Sequence, residues 1–281
     1  MTRLLMSETP SIKNDILKIV SGNPISPKDL IRRLSALYPG QKTAIQSAIR
    51  ALVRDGRIAY GHRHGRSTLE TSLASPVRLS SHVVVKPPAL SFEAGPGDVV
   101  ANLAPGSSFG AGDHPTTRLA VMGLDHVMGH GAAKARAPRE SMLDVGTGSG
   151  ILAIVAAGFG FKKALGIDMD PVARFEAREN ARLNGYENKI AIRDDDMEEL
   201  DGAFFLIAAN LRFPTIKRLS GAFFRALKEG GFIVFSGIYE HESPAVPGMW
   251  DPDAMRLLWQ KSEAGWSALA FQKTKTAPEE H

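Results

Sequence analysis

The chain has 281 residues, of which 43% are hydrophobic and 23% are charged, an ordinary composition for a soluble globular protein and not for a disordered one. Cysteine is absent, which excludes disulfides, thiol nucleophiles and cysteine-ligated zinc sites. The longest nearly apolar run covers residues 151–161, whereas a membrane-spanning helix needs roughly 20 residues. No long apolar stretch opens the chain, so we expect a soluble cytoplasmic protein, and we expect no metal site.

Length and charge placement together predict two domains. A single hydrophobic core tends to divide near this chain length. Residues 1–75 hold 12 lysine and arginine residues against 5 aspartate and glutamate residues, although the net charge of the whole chain is only +4. We expect a basic domain over residues 1–75, a linker and entry segment over 76–105, where prolines and glycines cluster, and a second domain over 106–281.

The basic domain shows three amphipathic helical patterns followed by a hairpin pattern. Ser11 and Ser26 can cap the first two helices, and a third helix begins near Gln41. The stretch RIAYGHRHGRSTLET then alternates like two strands around a glycine-bounded turn. This order resembles a winged helix-turn-helix domain, in which the third helix enters a DNA major groove.

The winged-helix resemblance assigns contact with a nucleic acid or a protein partner to five side chains: Lys42, Gln46, Arg50, Arg63 and Arg66. Winged helices also serve as protein-docking modules, and a purely structural role is a third alternative. The sequence leaves these alternatives open.

From Ser141 onward, apolar strand patterns alternate with helical patterns, which predicts a parallel sheet with crossover helices. The first strand, SMLDV, runs directly into the glycine-rich turn GTGSG. Glycines allow a tight turn and a close approach to a ligand, and the amides at the start of the next helix favour an anionic group. The cofactor-binding candidates in this stretch are Asp144, Gly146, Gly148 and Gly150.

Acidic residues follow the next two strands. Asp168 ends the strand ALGID, and its carboxylate can accept hydrogen bonds from both ribose hydroxyls of a nucleoside; Met169 adjoins it. Asp195 and Asp196 follow the strand KIAIR and are candidates for contact with an adenine amino group. A solvated acidic loop is the alternative for this pair.

The glycine turn alone fits two cofactors. Gly148, Gly150 and Ala153 also satisfy the dinucleotide fingerprint, in which Asp168 would select NAD. However, Asp144 two residues before the first glycine is typical of S-adenosylmethionine sites, and no second catalytic domain for hydride chemistry is evident. We therefore favour S-adenosylmethionine. A DNA-binding regulator that binds this cofactor without turnover is a further alternative.

Motifs spread over residues 82–273 resemble the PrmA family, methyltransferases that act on protein eleven of the large ribosomal subunit. The stretch SSFGAGDHPTTRLAVMGLD is similar to the family's signature before the cofactor loop, and LDVGTGSGILAIVAAGFG, AANL, GGFIVFSGI and GWSALAFQK follow in order. The resemblance implies a seven-stranded, Rossmann-like class I methyltransferase sheet, doubly wound and ending in an antiparallel strand. It also implies protein N-methylation with a ribosomal acceptor; methylation of a nucleic acid guided by the basic domain is the alternative.

The resemblance assigns further cofactor contacts. Phe109 and Gly110 would close over the cofactor, while His114, Thr116 and Thr117 would bind its methionine end. A pair of hydroxyls ahead of a helix is also a plausible anion site on chemical grounds.

The resemblance places the methyl acceptor at the end of the fourth strand. Asn210, which also adjoins the cofactor, and the backbone carbonyl of Leu211 would hold the accepting nitrogen with its lone pair aimed at the methyl group. Arg212 and Phe213 follow and could line an altered acceptor pocket. The sequence indicates neither the number of methyl groups transferred nor the oligomeric state.

Overall fold

A computed structural model describes most of the chain, namely residues 11–22, 24–63, 66–72, 75–104, 106, 108–110, 112, 114–128, 139–201 and 204–274. Two compact units divide it, Met1–Ser75 and Pro76–His281. Within the described residues, no helix has the length and apolarity to cross a membrane, and no group of three or more metal-ligating side chains could hold an ion.

The first unit contains three helices and a hairpin. In chain order these are α1 (Ile12–Gly22), α2 (Pro27–Leu37), α3 (Lys42–Arg54) and the antiparallel strands β1 (Ile58–Arg63) and β2 (Arg66–Thr71). Their apolar stripes bury into one small core. Ser26 caps α2 as predicted, because its Oγ accepts a hydrogen bond of 3.1 Å from the amide of Asp29 and Pro27 occupies the first turn.

Residues 76–104 form a small sheet, whereas the proline and glycine clusters had predicted a linker there. Its strands are β3 (Val77–Arg78), β4 (Val83–Lys86) and β5 (Val99–Asn102), with β3 antiparallel and β5 parallel to the central β4. The apolar side chains of Val83, Val85 and Val99 are buried in the core of the second unit. Their burial favours strands in this segment, and the proline pair at 87–88 lies in the connection between β4 and β5.

A seven-stranded sheet forms the centre of the second unit. Its strands are β6 (Ser141–Val145), β7 (Lys163–Ile167), β8 (Ile190–Arg193), β9 (Phe204–Asn210), β10 (Leu227–Tyr239), β11 (Met255–Glu263) and β12 (Trp266–Lys273). Their order across the sheet is β11-β12-β10-β9-β6-β7-β8. The five strands β6–β10 are parallel, and β12 runs antiparallel to both of its neighbours. The doubly wound sheet with an antiparallel strand is therefore confirmed.

Helices cover both faces of this sheet. They are α4 (Pro115–Met128), α5 (Ile151–Gly158), α6 (Pro171–Leu183), α7 (Phe213–Arg218) and α8 (Ser220–Ala226). One buried cluster joins α4, α5 and the small sheet to the first face, and a second joins α7 and α8 to the other. Between β10 and β11 the chain makes two three-residue 3-10 turns, Ser243–Ala245 and Pro247–Met249.

Phe235 lies at the centre of an aromatic cluster in the second of these cores, with ring centroids 5.1 Å from Phe223 and 5.8 Å from Trp250. Because the ring is fully buried, Phe235→Ala is expected to lower the free energy of unfolding by about 3–5 kcal/mol. Phe175→Ala is the matched control, since this ring is 64% exposed and its loss should cost less than about 1 kcal/mol. Urea unfolding of both variants measures the difference, and equal losses would contradict the packing described here.

Candidate active site

The chain turns sharply between β6 and α5, and this turn is built from glycines. Gly146, Gly148 and Gly150 all have positive φ, at 71°, 53° and 82°, a backbone conformation that glycine adopts without strain. A Cβ on Gly148 would lie 2.4 Å from the carbonyl oxygen of Phe109. The turn therefore accepts no side chain at Gly148 without moving the segment above it.

The segment around Phe109 lies directly on the glycine turn. The amide of Ser149 donates to the Phe109 carbonyl at 2.9 Å, and its Oγ donates to the Gly110 carbonyl at 2.8 Å. The amide of Ser108 donates to Glu176 Oε2 in α6 at 3.0 Å. The sequence predicted that these two stretches meet, and the structure brings them together through backbone contacts.

A cavity of about 520 Å³ opens at the carboxyl ends of the parallel strands. Eight of the predicted site residues line it: Phe109, His114, Thr116, Gly146, Gly148, Asp168, Asn210 and Leu211. It is also lined by Arg212, where the sequence indicated an altered acceptor pocket, and by Ser108, Asp170, Ala173, Gly237 and Trp266. In doubly wound sheets this edge is where ligands bind.

Asp168 connects the tip of β7 to the glycine turn. Its Oδ2 accepts a hydrogen bond of 2.9 Å from the amide of Gly148, and its Oδ1 accepts one of 3.0 Å from the amide of Asp170. Each carboxylate oxygen has a second lone pair. Asp168 can therefore accept ribose hydroxyls while it holds the turn.

The remaining predicted cofactor residues lie outside the cavity lining: Gly110, Thr117, Asp144, Gly150, Met169, Asp195 and Asp196. Asp195 forms an ion pair of 2.8 Å with Arg193, and Asp196 caps a short turn by accepting from the amide of Glu198. Met169 is 82% exposed. Their contact with a cofactor stays a prediction.

Asp144 is fully buried beneath the turn. Its Oδ2 accepts from Thr147 Oγ1 at 2.7 Å and from the amide of Ala153 at 3.3 Å. Burial raises the pKa of this carboxyl to about 7, against the two hydrogen bonds, which lower it. In the described structure Asp144 therefore supports the turn from below.

An aromatic wall closes the other side of the cavity. The His114 ring lies between those of Phe109 and Trp266, at centroid distances of 5.0 and 5.4 Å, and Trp266 stacks on Tyr239 at 4.5 Å. Sequence reasoning missed Trp266 and Tyr239 as site residues. Their meeting depends on the register of β10 and β12, in which Tyr239 pairs with Trp266, and no local motif encodes that pairing.

Ser108 and Asn210 line the cavity, and Ser108 Oγ and Asn210 Oδ1 are buried with no hydrogen-bond partner among the described residues. The same holds for Thr117 Oγ1 and Asp144 Oδ1, which lie outside the lining. Buried polar groups are ordinarily satisfied, so such atoms mark places where a ligand can complete the bonding. Asn210 ends β9 and contacts Gly237, where a Cβ would lie 3.0 Å from Asn210 Oδ1 and 2.5 Å from the Leu211 carbonyl oxygen.

In the first unit, three of the five predicted partner-contact residues lie on α3. Lys42 and Arg50 are exposed and Gln46 is half-buried. The side chains of Arg63 and Arg66 lie outside the described part of the structure, although their backbones pair at the end of the hairpin.

Strand order, glycine turn and cavity together define a class of protein. A seven-stranded sheet with one antiparallel strand, carrying a nucleoside-type site at its carboxyl edge, is the class I fold of S-adenosylmethionine-dependent methyltransferases.

Comparison with known proteins gives the family. The family model described as Ribosomal protein L11 methyltransferase (PrmA) matches residues 68–274, and the chain belongs to this family. The family predicted from the sequence motifs is thereby confirmed.

Individual relatives agree with this membership. A ribosomal protein L11 methyltransferase of Geotalea daltonii is 36% identical over 70% of this chain, which matches 63% of that protein's length. One of Syntrophotalea carbinolica is 32% identical over 92% of this chain and 81% of its own length. The crystal structure of a ribosomal protein L11 methylase from Lactobacillus delbrueckii subsp. bulgaricus matches at a TM-score of 0.61 and 30% identity, covering 72% of this chain and all of that one.

The buried carboxyl of Asp144 should make the stability of the ligand-free protein depend on pH. Because the pKa of Asp144 is raised to about 7 from an ordinary 3.8, its contribution to stability is complete below the unfolded pKa and is lost as the pH rises through about 7. Asp144→Asn cannot ionise. Between about pH 5 and pH 8 the variant is therefore expected to lose less unfolding free energy than the parent chain, by up to about 3 kcal/mol.

Urea unfolding of the parent chain and Asp144→Asn at both pH values measures this difference. Asp201→Asn, at an 81% exposed side chain, is the control and should follow the parent chain. Parallel pH dependences of the parent chain and Asp144→Asn would show that Asp144 stays ionised in the fold.

Proposed function

We propose that this chain is an S-adenosylmethionine-dependent methyltransferase that transfers methyl groups to an amine nitrogen of a protein. One observation carries the proposal: the cavity between the glycine turn and the Phe109 segment ends at Asn210, so a nucleoside site and an amide acceptor group open into one space. The matched relatives are named for ribosomal protein L11, and a ribosomal acceptor is the class we favour. Such an acceptor would place the reaction in the cytoplasm.

The residues present fit the proposed cofactor. Asp168 keeps free lone pairs at the tip of β7 for ribose hydroxyls, and Gly148 leaves the cavity wall without a side chain. His114 and Thr116, at the start of α4, are joined by a 2.8 Å hydrogen bond between Nδ1 and Oγ1 and supply polar atoms for the methionine end. The sulfonium of the bound cofactor supplies an electrophilic methyl group.

Because the cofactor supplies the reactive methyl group, the role of the protein in the transfer step is to orient the acceptor nitrogen. Asn210 Oδ1 and the Leu211 carbonyl oxygen can each accept an N–H, and both lie against Gly237. Two acceptors fix the direction of the nitrogen lone pair, and fixed orientation is itself a large contribution to rate. The amine must reach this position neutral, because a protonated nitrogen has no lone pair to donate.

For the first unit we propose a winged-helix fold that contacts a partner through α3. The support is the order of three helices and a hairpin, with Lys42 and Arg50 exposed on the third helix. A protein partner associated with translation agrees with the family of the second unit. Methylation of a nucleic acid delivered by this unit has no separate support in the structure.

Asp168→Ala is expected to weaken binding of S-adenosylhomocysteine by about 10- to 100-fold, since hydrogen bonds to a charged acceptor are lost and the turn loses its support. Asp201→Ala removes an exposed carboxylate outside the cavity and should leave the affinity unchanged. Isothermal titration calorimetry with S-adenosylhomocysteine, and with NAD in parallel, measures both effects. Binding of NAD and not of S-adenosylhomocysteine would overturn the proposed function.

Asn210→Ala should separate binding from transfer. We expect methyl transfer to fall at least about 100-fold, because the amine loses an orienting acceptor, while S-adenosylhomocysteine binds within a few-fold of the parent affinity. The measurement follows a radiolabelled methyl group into fractionated cell lysate, separated into ribosomal protein, nucleic acid and small-molecule pools. Label in the nucleic acid pool alone, or an Asn210→Ala variant of full activity, would contradict the proposal.

A further inference from the structure

Arg212 contacts three residues at the acceptor end of the cavity. Its guanidinium carbon lies 3.8 Å from the centroid of the Tyr239 ring and 5.0 Å from that of Trp266, and Nη1 donates to the Gly237 carbonyl at 3.1 Å. Gly237 lies beside both proposed acceptor groups, since a Cβ on it would be 3.0 Å from Asn210 Oδ1 and 2.5 Å from the Leu211 carbonyl oxygen. Stacking and hydrogen bonding thus hold a permanent positive charge at the residue after Leu211 and two residues after Asn210.

Glu242 compensates this charge only in part. Its Oε2 lies 3.7 Å from Arg212 Nη2 and already accepts a 2.9 Å hydrogen bond from the amide of Tyr239. Arg212 lines the cavity and Glu242 does not. The pair therefore presents its positive end to the cavity.

Other charged and titratable groups lie farther from the acceptor end than Arg212 or carry no negative charge. The carboxylates of Asp168 and Asp170 line the same cavity from the tip of β7, two strands away from β9 and so roughly 10 Å distant. His241 stacks on Tyr239 at 5.5 Å and His114 lies 5.4 Å from Trp266. Neither imidazole adds negative charge.

We propose that Arg212 selects the neutral form of the acceptor amine by holding a positive potential at the position of methyl transfer, with Glu242 limiting its strength. The inference rests on the proposed function and assigns Arg212 an electrostatic role in it. Solvent reaches the Arg212 side chain, which is 43% exposed, and screens part of its charge. A positive charge at this short range still disfavours a second cation nearby. An ammonium entering the site would therefore lose its proton to solvent more readily, leaving the lone pair that the reaction needs.

The charge can be probed without any acceptor. S-adenosylmethionine and S-adenosylhomocysteine differ by a methyl group and by the positive charge of the sulfonium, so the ratio of their dissociation constants reports the potential at the transfer position. In Arg212→Gln, the affinity for S-adenosylmethionine is expected to rise about three- to tenfold relative to the affinity for S-adenosylhomocysteine. In Glu242→Gln, the affinity for S-adenosylmethionine should fall relative to that for S-adenosylhomocysteine.

Two control variants keep this test specific. Arg218→Gln removes a guanidinium on α7 that pairs with Glu198 outside the cavity, and its ratio should equal that of the parent chain. Arg212→Lys keeps the charge and should keep most of the parent ratio. If Arg212→Gln leaves the ratio unchanged, or if Arg218→Gln shifts it equally, the proposal is overturned. A parent chain that binds neither compound would instead overturn the proposed function.

The consequence for the acceptor is read from the pH dependence of kcat, which reports ionisations in the bound complex. The probe is a synthetic peptide with a free amino terminus and one lysine, measured above the pH range in which imidazoles ordinarily titrate. In Arg212→Gln the pKa of the rising limb should move up by about 0.5–1 unit, and in Glu242→Gln it should move down. If Arg212→Gln changes the ratio of dissociation constants but leaves the pKa of the rising limb where it is in the parent chain, the part of the proposal that concerns the acceptor amine is overturned.

Discussion

The site depends on the contact between the Phe109 segment and the glycine turn. The hydrogen bond from the Ser149 amide to the Phe109 carbonyl is backbone to backbone, and a single Cβ on Gly148 would occupy the space of that carbonyl. The Ser149 Oγ adds a side-chain hydrogen bond to the Gly110 carbonyl, so one residue of the turn holds two consecutive carbonyls of the Phe109 segment.

A buried asparagine ties this contact to the rest of the fold. Asn180 Oδ1 in α6 accepts from the amide of Ala104 at 3.0 Å, and its Nδ2 donates to the Ser149 carbonyl at 2.9 Å. The side-chain amide of Asn180 thus links three parts of the fold: the segment that ends at Ala104, the glycine turn and helix α6. Asp144 holds the same turn from beneath at an electrostatic cost, since burial disfavours its ionised form. This unfavourable burial of a carboxyl group occurs directly beneath the turn that forms the ligand site.

The features of the site that could be predicted from the sequence are those that a short contiguous motif encodes. The glycine turn, Asp168 and Asn210 each stand at the end of an apolar strand pattern, and parallel strands bring such ends to one edge. For the segment 76–105 the prolines and glycines predicted a linker and entry to the second domain, and the short strands within 76–104 were not predicted. Those strands depend on valines that bury into a core formed only in the folded chain. Asn180 carries no local signal, since its partners are 31 and 76 residues away.

The aromatic wall shows why the antiparallel strand matters to the site. Strands β11 and β12 are joined by Ala264 and Gly265, both with positive φ, at 54° and 80°, as the two-residue turns that match strand twist require. A turn this short fixes the register of β11 on β12, in which Glu263 pairs with Trp266. The separate register of β12 on β10 places Trp266 opposite Tyr239 and beside His114. A slip of one residue would turn the indole to the other face of the sheet. Tyr239 on β10 and Trp266 on β12 together therefore form the wall against which the Arg212 guanidinium lies.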